Sequence, residues 1–101
     1  MNQLAILAYS GQTIVITAIN PAGARFEIDI YDGSGGWVPF SGPVNSTYQL
    51  PPNPFGTEYT LIPSGSNPIT RIDAGPGPAP KGGMQYIVHD SLGNTITITI
   101  M

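Results

Sequence analysis

The side chains in this sequence that could carry acid–base chemistry are one histidine, His89, and six carboxylates. A serine hydrolase built on His89 would need a serine presented by a Gly-x-Ser-x-Gly elbow, and the sequence contains no such motif. Asp90 follows His89 directly, so on a strand the two side chains point to opposite faces and Asp90 cannot orient the imidazole. The sequence therefore predicts a protein that is not an enzyme.

Three of the carboxylates could be considered for a metal site. Glu27 and Asp29 share one face of a predicted strand, and Asp32 opens the glycine-rich turn that follows. Ca²⁺ binds converging carboxylate oxygens. The spacing Asp29-x-x-Asp32-Gly, however, lacks the alternating acids and the terminal Glu of an EF-hand loop. We expect solvated carboxylates and a turn-capping Asp32, and we predict no metal and no cofactor.

Aromatic residues cluster in the middle third of the chain, among glycines and prolines. In a small sandwich such residues are most often core or interface. Sugar-binding proteins, in contrast, stack pyranose rings on exposed aromatics and bind the hydroxyls with carboxylates and amides. The second hypothesis gives a candidate glycan platform of Asp32, Trp37, Tyr48 and Tyr59.

The composition describes one domain over residues 1–101 with a surface poor in charge. Only 9% of the residues are charged, whereas about 25% is usual for a soluble domain. Three scattered cations and a net charge of −3 predict no nucleic-acid partner, and the absence of Cys excludes a disulfide framework. The surface must be covered by Thr, Ser, Asn and Gln, which suits a subunit whose faces are occupied or a glycan-binding protein.

Alternating apolar and polar residues predict strands throughout, and the clearest case is the hairpin within Met84–Met101. With turn signals about every 8–12 residues, the pattern predicts a single antiparallel β-sandwich of about seven to nine short strands and almost no helix. The predicted inward residues are Ile14, Ile16, Phe26, Ile28, Ile30, Leu61, Tyr86, Val88, Ile96 and Ile98.

The first predicted strand, Leu4–Tyr9, is apolar on both faces. Such a strand either lies in the centre of a sheet or packs one face against a partner chain. Ser10-Gly11 then predicts a two-residue hairpin turn into the next strand. Pro39 within Trp37–Phe40 predicts an edge strand or a crossover piece.

Alternating prolines in Gly75–Gly83 favour an extended path that could reach a neighbouring subunit, and the alternative is a mobile surface loop. Together with the first strand, this segment gives the candidate assembly contacts. They are Leu4, Ile6, Leu7, Tyr9, Pro76, Pro78 and Pro80.

The run Tyr86-x-Val88-x-Asp90-x-x-Gly93-Asn94-Thr95, closing on alternating Ile and Thr, resembles the last hairpin of bacterial Ig-like, PKD-type and HYR-type modules. The resemblance covers less than a fifth of the chain and implies an Ig-like β-sandwich. The chain lacks the Cys pair of antibody domains, and Trp37 falls too late for their third-strand Trp. Such modules serve as spacers, adhesins and virion decorations, so the resemblance alone does not fix a function.

These observations predict a non-enzymatic structural protein, most concretely a phage or virion accessory subunit of the capsid cement, decoration or tail-associated kind. The alternative is a carbohydrate-binding module or lectin. Partners are expected to be proteins, as a homo-oligomer or larger assembly, with a glycan possible and no membrane. Leu4–Tyr9 is too short to span a bilayer and has no basic residue before it, so no cleavable signal peptide is recognised. The expected location is a virion or the extracellular space.

Overall fold

The computed structural model describes residues 4–74 and 84–101, and these residues form strands and turns without a helix. Nine strands follow one another along the chain, which is the upper end of the predicted number. They are β1 (Ile6–Tyr9), β2 (Thr13–Asn20), β3 (Phe26–Tyr31), β4 (Trp37–Phe40), β5 (Thr47–Gln49), β6 (Glu58–Gly65), β7 (Ile69–Ala74), β8 (Met84–Asp90) and β9 (Thr95–Ile100).

The strands form two antiparallel sheets that pack face to face. The four-stranded sheet has the order β1-β6-β3-β4, and the five-stranded sheet has the order β5-β2-β9-β8-β7. The predicted single antiparallel β-sandwich is confirmed. β9 lies between β8 and β2, so the last hairpin adds directly to the second strand of the chain. The likeness of that hairpin to Ig-like modules stays a prediction.

The core consists of the inward side chains of both sheets. All of the predicted inward residues are buried except Tyr86, which is half-buried and packs against the core. The period-two pattern predicted them because successive strand residues point to opposite faces. The core also contains Ile6, Ala8, Phe40, Leu50, Tyr59 and Ile100.

Asp90 holds the turn of the C-terminal hairpin. Its Oδ1 accepts hydrogen bonds from the backbone N–H of Leu92 (2.9 Å) and of Asn94 (2.8 Å), and its Oδ2 accepts one from Asn94 Nδ2 (2.8 Å). Gly93 supplies the positive φ of 84° that this tight turn needs. Burial alone would raise the pKa of Asp90, but the hydrogen bonds donated by Asn94, Leu92 and Asn67 outweigh it and lower that pKa.

The turn at Ser10-Gly11 does not join a hairpin, so that prediction is wrong. Gln12 N donates to Tyr9 O at 3.0 Å and the chain reverses, but β1 then belongs to one sheet and β2 to the other. β1 pairs with β6 instead, and β2 pairs with β5 and β9. Turn residues predict a reversal of the chain, whereas the pairing partner is decided by which sheet buries each strand.

Two prolines lie within strands of the four-stranded sheet. Pro39 is in β4, an edge strand as predicted. Pro63 is in β6, at a position where register would place Leu4 opposite it. Because proline has no N–H to donate, the β1–β6 ladder ends at Ile6. Pro63 is therefore tolerated although the rest of β6 lies between β1 and β3.

Across β5, β2 and β9, the outward face of the five-stranded sheet is polar without being charged. Thr17 Oγ1 donates to Thr97 O at 3.2 Å and lies 3.3 Å from Thr99 Oγ1. Register continues this threonine surface across β2, β5 and β9. On this part of the surface the polar groups are threonine hydroxyls, which form hydrogen bonds with the backbone and with each other, and not charged side chains.

Candidate assembly face and aromatic cleft

The outward face of the four-stranded sheet carries a row of side chains that crosses all four strands. Register places Thr60 between Leu7 and Tyr31. It also places Trp37 beside Tyr31, with the ring centroids 6.4 Å apart and the ring planes tilted by 33°. Trp37 is 53% exposed and Leu7 is 48% exposed. At the ~4.8 Å spacing of neighbouring strands, the row is about 14 Å long.

Outward neighbours widen this row into a larger surface, which we call the apolar band, although the acids Asp29 and Glu58 lie among them. Ile62 and Pro39 lie on either side of Asp29 in the next row, and Tyr9 lies at the end of β1. The four strands contain no Lys or Arg. An exposed surface rich in Trp and Tyr and without Lys is typical of protein interfaces. The band consists of Leu7, Tyr9, Tyr31, Trp37, Pro39, Thr60 and Ile62.

Two acids of β3 lie on this face: Asp29 is within the apolar band, between Ile62 and Pro39, and Glu27 is at its border. The neighbouring Asp29 carboxylate is the main reason that the pKa of Glu27 is raised, and burial raises it further. Asp29 Oδ1 is buried and accepts no hydrogen bond within the described part of the chain.

The four residues of the predicted glycan platform do come together. Together with three prolines of the β5–β6 loop, they line a cleft of about 160 Å³. Phe40 backs Tyr48, with ring centroids 5.9 Å apart. Trp37 belongs both to this cleft and to the apolar band, so the two surfaces are continuous. The lining includes Asp32, Trp37, Tyr48, Pro51, Pro52, Pro54 and Tyr59.

Tyr59 ties the proline loop to the core. Its ring is buried, and its hydroxyl donates a hydrogen bond of 2.6 Å to the carbonyl oxygen of Pro51. Burial raises the pKa of the Tyr59 hydroxyl, and the nearby Tyr48 and Asp32 raise it further. The residue is therefore an anchor for the rim of the cleft more than an exposed stacking surface.

Asn53 holds the same loop and was not singled out by the sequence. Its Nδ2 donates to the carbonyl oxygens of Asp32 (2.8 Å) and Glu58 (2.9 Å), and its Oδ1 accepts from Phe55 N (2.9 Å). The sequence Pro-Asn-Pro-Phe-Gly could have indicated this role, because an asparagine side chain often forms a turn by a hydrogen bond to the backbone two residues later. Its links to Asp32 and Glu58 depend on the fold.

Asp32 caps its own turn, as expected. Its Oδ1 accepts from Ser34 N (2.8 Å) and from Ser34 Oγ (2.7 Å), and these bonds lower the pKa of Asp32. Ser34 Oγ in turn accepts from Gly36 N at 3.2 Å. Since Asn53, Tyr59 and Asp32 Oδ1 are engaged with the loops around them, the cleft offers a ligand mainly aromatic and proline surface.

His89 lies on the outward face of β8, beside Arg71 of β7. Arg71 Nε donates to Asp73 Oδ2 at 2.9 Å. His89 Nε2 lies 3.0 Å from the same oxygen, at an angle that makes no hydrogen bond. Asp90, its neighbour in sequence, is committed to the hairpin turn. His89 thus lies beside the Arg71–Asp73 ion pair on the outward face of the sheet.

The predicted assembly contacts of the first strand divide into two groups. Leu4, Leu7 and Tyr9 are exposed. Ile6 is not available to a partner, and that prediction is corrected, because its side chain points into the core. The sequence left two positions open for this strand, the centre of a sheet or contact with a partner chain. Among the strands of residues 4–74 and 84–101, β1 is an edge strand. The predicted contacts Pro76, Pro78 and Pro80 lie outside the described residues.

Sequence patterns did not reveal the other members of the apolar band. Tyr31 shares its face with Glu27 and Asp29, so the strand was expected to meet water. Only the register of β3 against β4 and β6 brings Tyr31 next to Trp37 and Ile62 next to Asp29. Pairing between distant strands, which no local pattern encodes, creates the surface.

Residues 4–74 and 84–101 contain no group of three or more His, Asp or Glu side chains that could hold a metal ion. Within the same ranges no helix is long and apolar enough to cross a membrane. Comparison of the chain with protein-family models, with curated proteins and with solved structures finds no match. Any functional assignment therefore depends on the apolar band and the cleft.

Proposed function

We propose that this chain is a non-enzymatic assembly protein whose apolar band packs against a protein partner. The observation that supports the proposal is the exposed row from Leu7 to Trp37, which crosses a whole sheet without a cation. Burying Trp37 and Tyr31 would supply most of the binding energy, since Trp and Tyr dominate interface hot spots. The acids at Glu27 and Asp29 would select a partner that brings donors or positive charge.

A finer form of the proposal is an accessory subunit of a phage or other virion, in a capsid cement, decoration or tail-associated position. A small β-sandwich without Cys and with a charge-poor surface is suited to such a role. The location is then the virion. The mechanism is burial of surface across subunit boundaries, which stabilises a shell without transforming a substrate.

The test is association with particles. Virions from the source organism should carry the chain in a fixed ratio to the major shell protein, and the purified wild-type chain should rebind to particles stripped of it. Trp37→Ser should weaken rebinding strongly, since truncation of a hot-spot Trp costs about 2 kcal/mol or more. Leu92→Ser is the matched control, because Leu92 is 73% exposed and lies on the hairpin turn, away from the band. Equal rebinding of both variants and wild type would contradict the proposal.

A second candidate is glycan binding, and the observation that favours it is the cleft shared by Asp32, Trp37, Tyr48 and Tyr59. We rank it lower because most polar groups of the cleft are already bonded to their own loops. A glycan array decides between the two. Reproducible hits that disappear in Trp37→Ala, with an unchanged CD spectrum, would establish the lectin reading and displace the assembly one.

A further inference from the structure

The edge of the four-stranded sheet at β1 lacks the features that protect other edges. In the five-stranded sheet the edge strand β7 carries Arg71 and Asp73, and β5 is only three residues long. In the four-stranded sheet the edge strand β4 carries Pro39. Charges, prolines and short length are the usual protections of edge strands against pairing with another chain. β1 is four residues long, one more than β5, and its sequence Ile-Leu-Ala-Tyr has no charge, proline or bulge.

The hydrogen bonds of the structure show which backbone groups of this edge are free. Ser10 N donates to Thr57 O, and in an antiparallel ladder the residues that bond the partner strand alternate with residues that face away from it. Ala8 and Ile6 therefore bond β6. Leu7 directs its N–H and C=O away from β6, where no described strand pairs with it. Ala5 precedes β1, and an extension of the strand by one residue would give its N–H and C=O the same direction.

Gln12 closes the far end of the edge. Tyr9 also faces away from β6, but its N–H donates to Gln12 Oε1 at 2.8 Å and its C=O accepts from Gln12 N at 3.0 Å. The open edge is therefore two alternate residues long, Ala5 and Leu7. An antiparallel copy of the same edge presents matching donors and acceptors, as a two-fold axis requires.

We infer that two copies of this chain pair antiparallel through β1, with Ala5 of each copy opposite Leu7 of the other and the two-fold axis at Ile6. This register forms four backbone hydrogen bonds, one N–H···O=C pair at each Ala5–Leu7 position. The alternative register, with Leu7 opposite Leu7, forms two, because the next pair would involve Tyr9, which Gln12 already occupies. It also places large Leu7 side chains side by side instead of beside Ala5.

The pairing would join the four-stranded sheets into one sheet of eight strands, with the order β4-β3-β6-β1 followed by its mirror order. The apolar bands of the two copies then lie on the same side of that sheet. At ~4.8 Å per strand the doubled face is about 34 Å wide. This inference deepens the proposed assembly function, because it names a second copy as the partner of the edge while the band stays free for another protein.

The absence of Cys in the chain allows a direct test by cross-linking of the full chain. The Cα atoms of a hydrogen-bonded antiparallel pair lie about 5.5 Å apart, within the range that a disulfide spans. Ala5→Cys mixed with tagged Leu7→Cys should give the mixed disulfide under mild oxidation, while each variant alone gives little. A dominant Leu7→Cys homodimer, or no cross-link at all, would overturn the proposed register.

Sedimentation equilibrium of the wild-type chain tests the dimer itself. Ala5→Pro removes the free N–H of Ala5 in both copies, and so two of the four bonds, while leaving the β1–β6 ladder intact. It should weaken dimerisation by about tenfold or more. Ala5→Ser keeps the N–H and should dimerise as wild type does. A wild-type monomer at high concentration, as expected if another segment of the chain covers β1, would refute the inference. Trp37→Ser should still dimerise. A loss of partner binding by the apolar band can therefore be distinguished from a loss of dimerisation through β1.

Discussion

Replacing Tyr59 by phenylalanine removes one hydroxyl and leaves the buried ring in place. The hydroxyl makes a 2.6 Å bond to Pro51 O, so Tyr59→Phe should cost about 1 kcal/mol of unfolding free energy, the usual net value of such a bond. For a domain of this size that corresponds to a decrease in Tm of roughly 5 °C. Thermal unfolding followed by CD measures it. Tyr9→Phe is the control, because Tyr9 is 44% exposed and its change should stay within about 0.5 kcal/mol.

The pKa of Tyr59 gives the same variant a second signature. Burial raises this pKa above the ordinary value of 10.0, so the folded state keeps its proton over a pH range in which the unfolded state has lost it. Wild-type stability should therefore fall as the pH rises above about 10, and Tyr59→Phe lacks this contribution. The stability gap between the two proteins should narrow from about pH 8 to about pH 11. A Tyr59→Phe protein as stable as wild type at neutral pH, or a gap independent of pH, would refute this account of Tyr59.

Three further substitutions test the fold. Ile98→Ala should cost about 2–5 kcal/mol in urea unfolding because Ile98 is fully buried, whereas the exposed Leu92→Ala should change little. Gly65→Ala should cost about 1–3 kcal/mol, since a Cβ there would lie 2.8 Å from a backbone carbonyl oxygen, while Gly23→Ala has open space; equal Tm values for the two would contradict this. The lowered pKa of Asp90 means that its carboxylate stabilises the fold fully above pH 3.8 and loses that effect as the pH falls through the lower folded value. The stability difference between wild type and Asp90→Ala should therefore shrink in acid, and a constant difference would exclude this role.

Much of the fold could be predicted because apolar and polar residues alternate within a strand, and the apolar ones mark the face that is buried. Ile96 and Ile98 alternate with threonines, and Trp37–Phe40 was placed at an edge by one proline; both predictions are confirmed. The partners of each strand could not be predicted in the same way. Ser10-Gly11 contains good turn residues, yet the chain crosses there to the other sheet, because pairing is settled by contacts distant in sequence.

The same distinction applies to the candidate sites: the residues of the cleft could be predicted in part, whereas the apolar band depends on strand pairing. The cleft was predictable in part, since aromatic residues are concentrated in the middle third of the sequence and Trp37, Tyr48 and Tyr59 are among them. Their roles were not, because Tyr59 is an anchor and Asp32 caps its own turn. The apolar band includes Tyr31, which shares its face with two acids, and it becomes a surface only when four strands from distant parts of the chain lie side by side.

The threonine surface of the five-stranded sheet has a consequence for the response of the protein to salt. The bonds that Thr17 makes with β9 involve no ions, and the ion pairs within the described ranges all converge on Asp73. Added salt weakens attraction between exposed charges, with a screening length that shortens from about 10 Å at 0.1 M to about 3 Å at 1 M. Because the chain has so few charges to screen, its free energy of unfolding should be nearly the same in dilute buffer and at about 1 M salt. A protein of this kind can hold its shape where ionic strength varies widely.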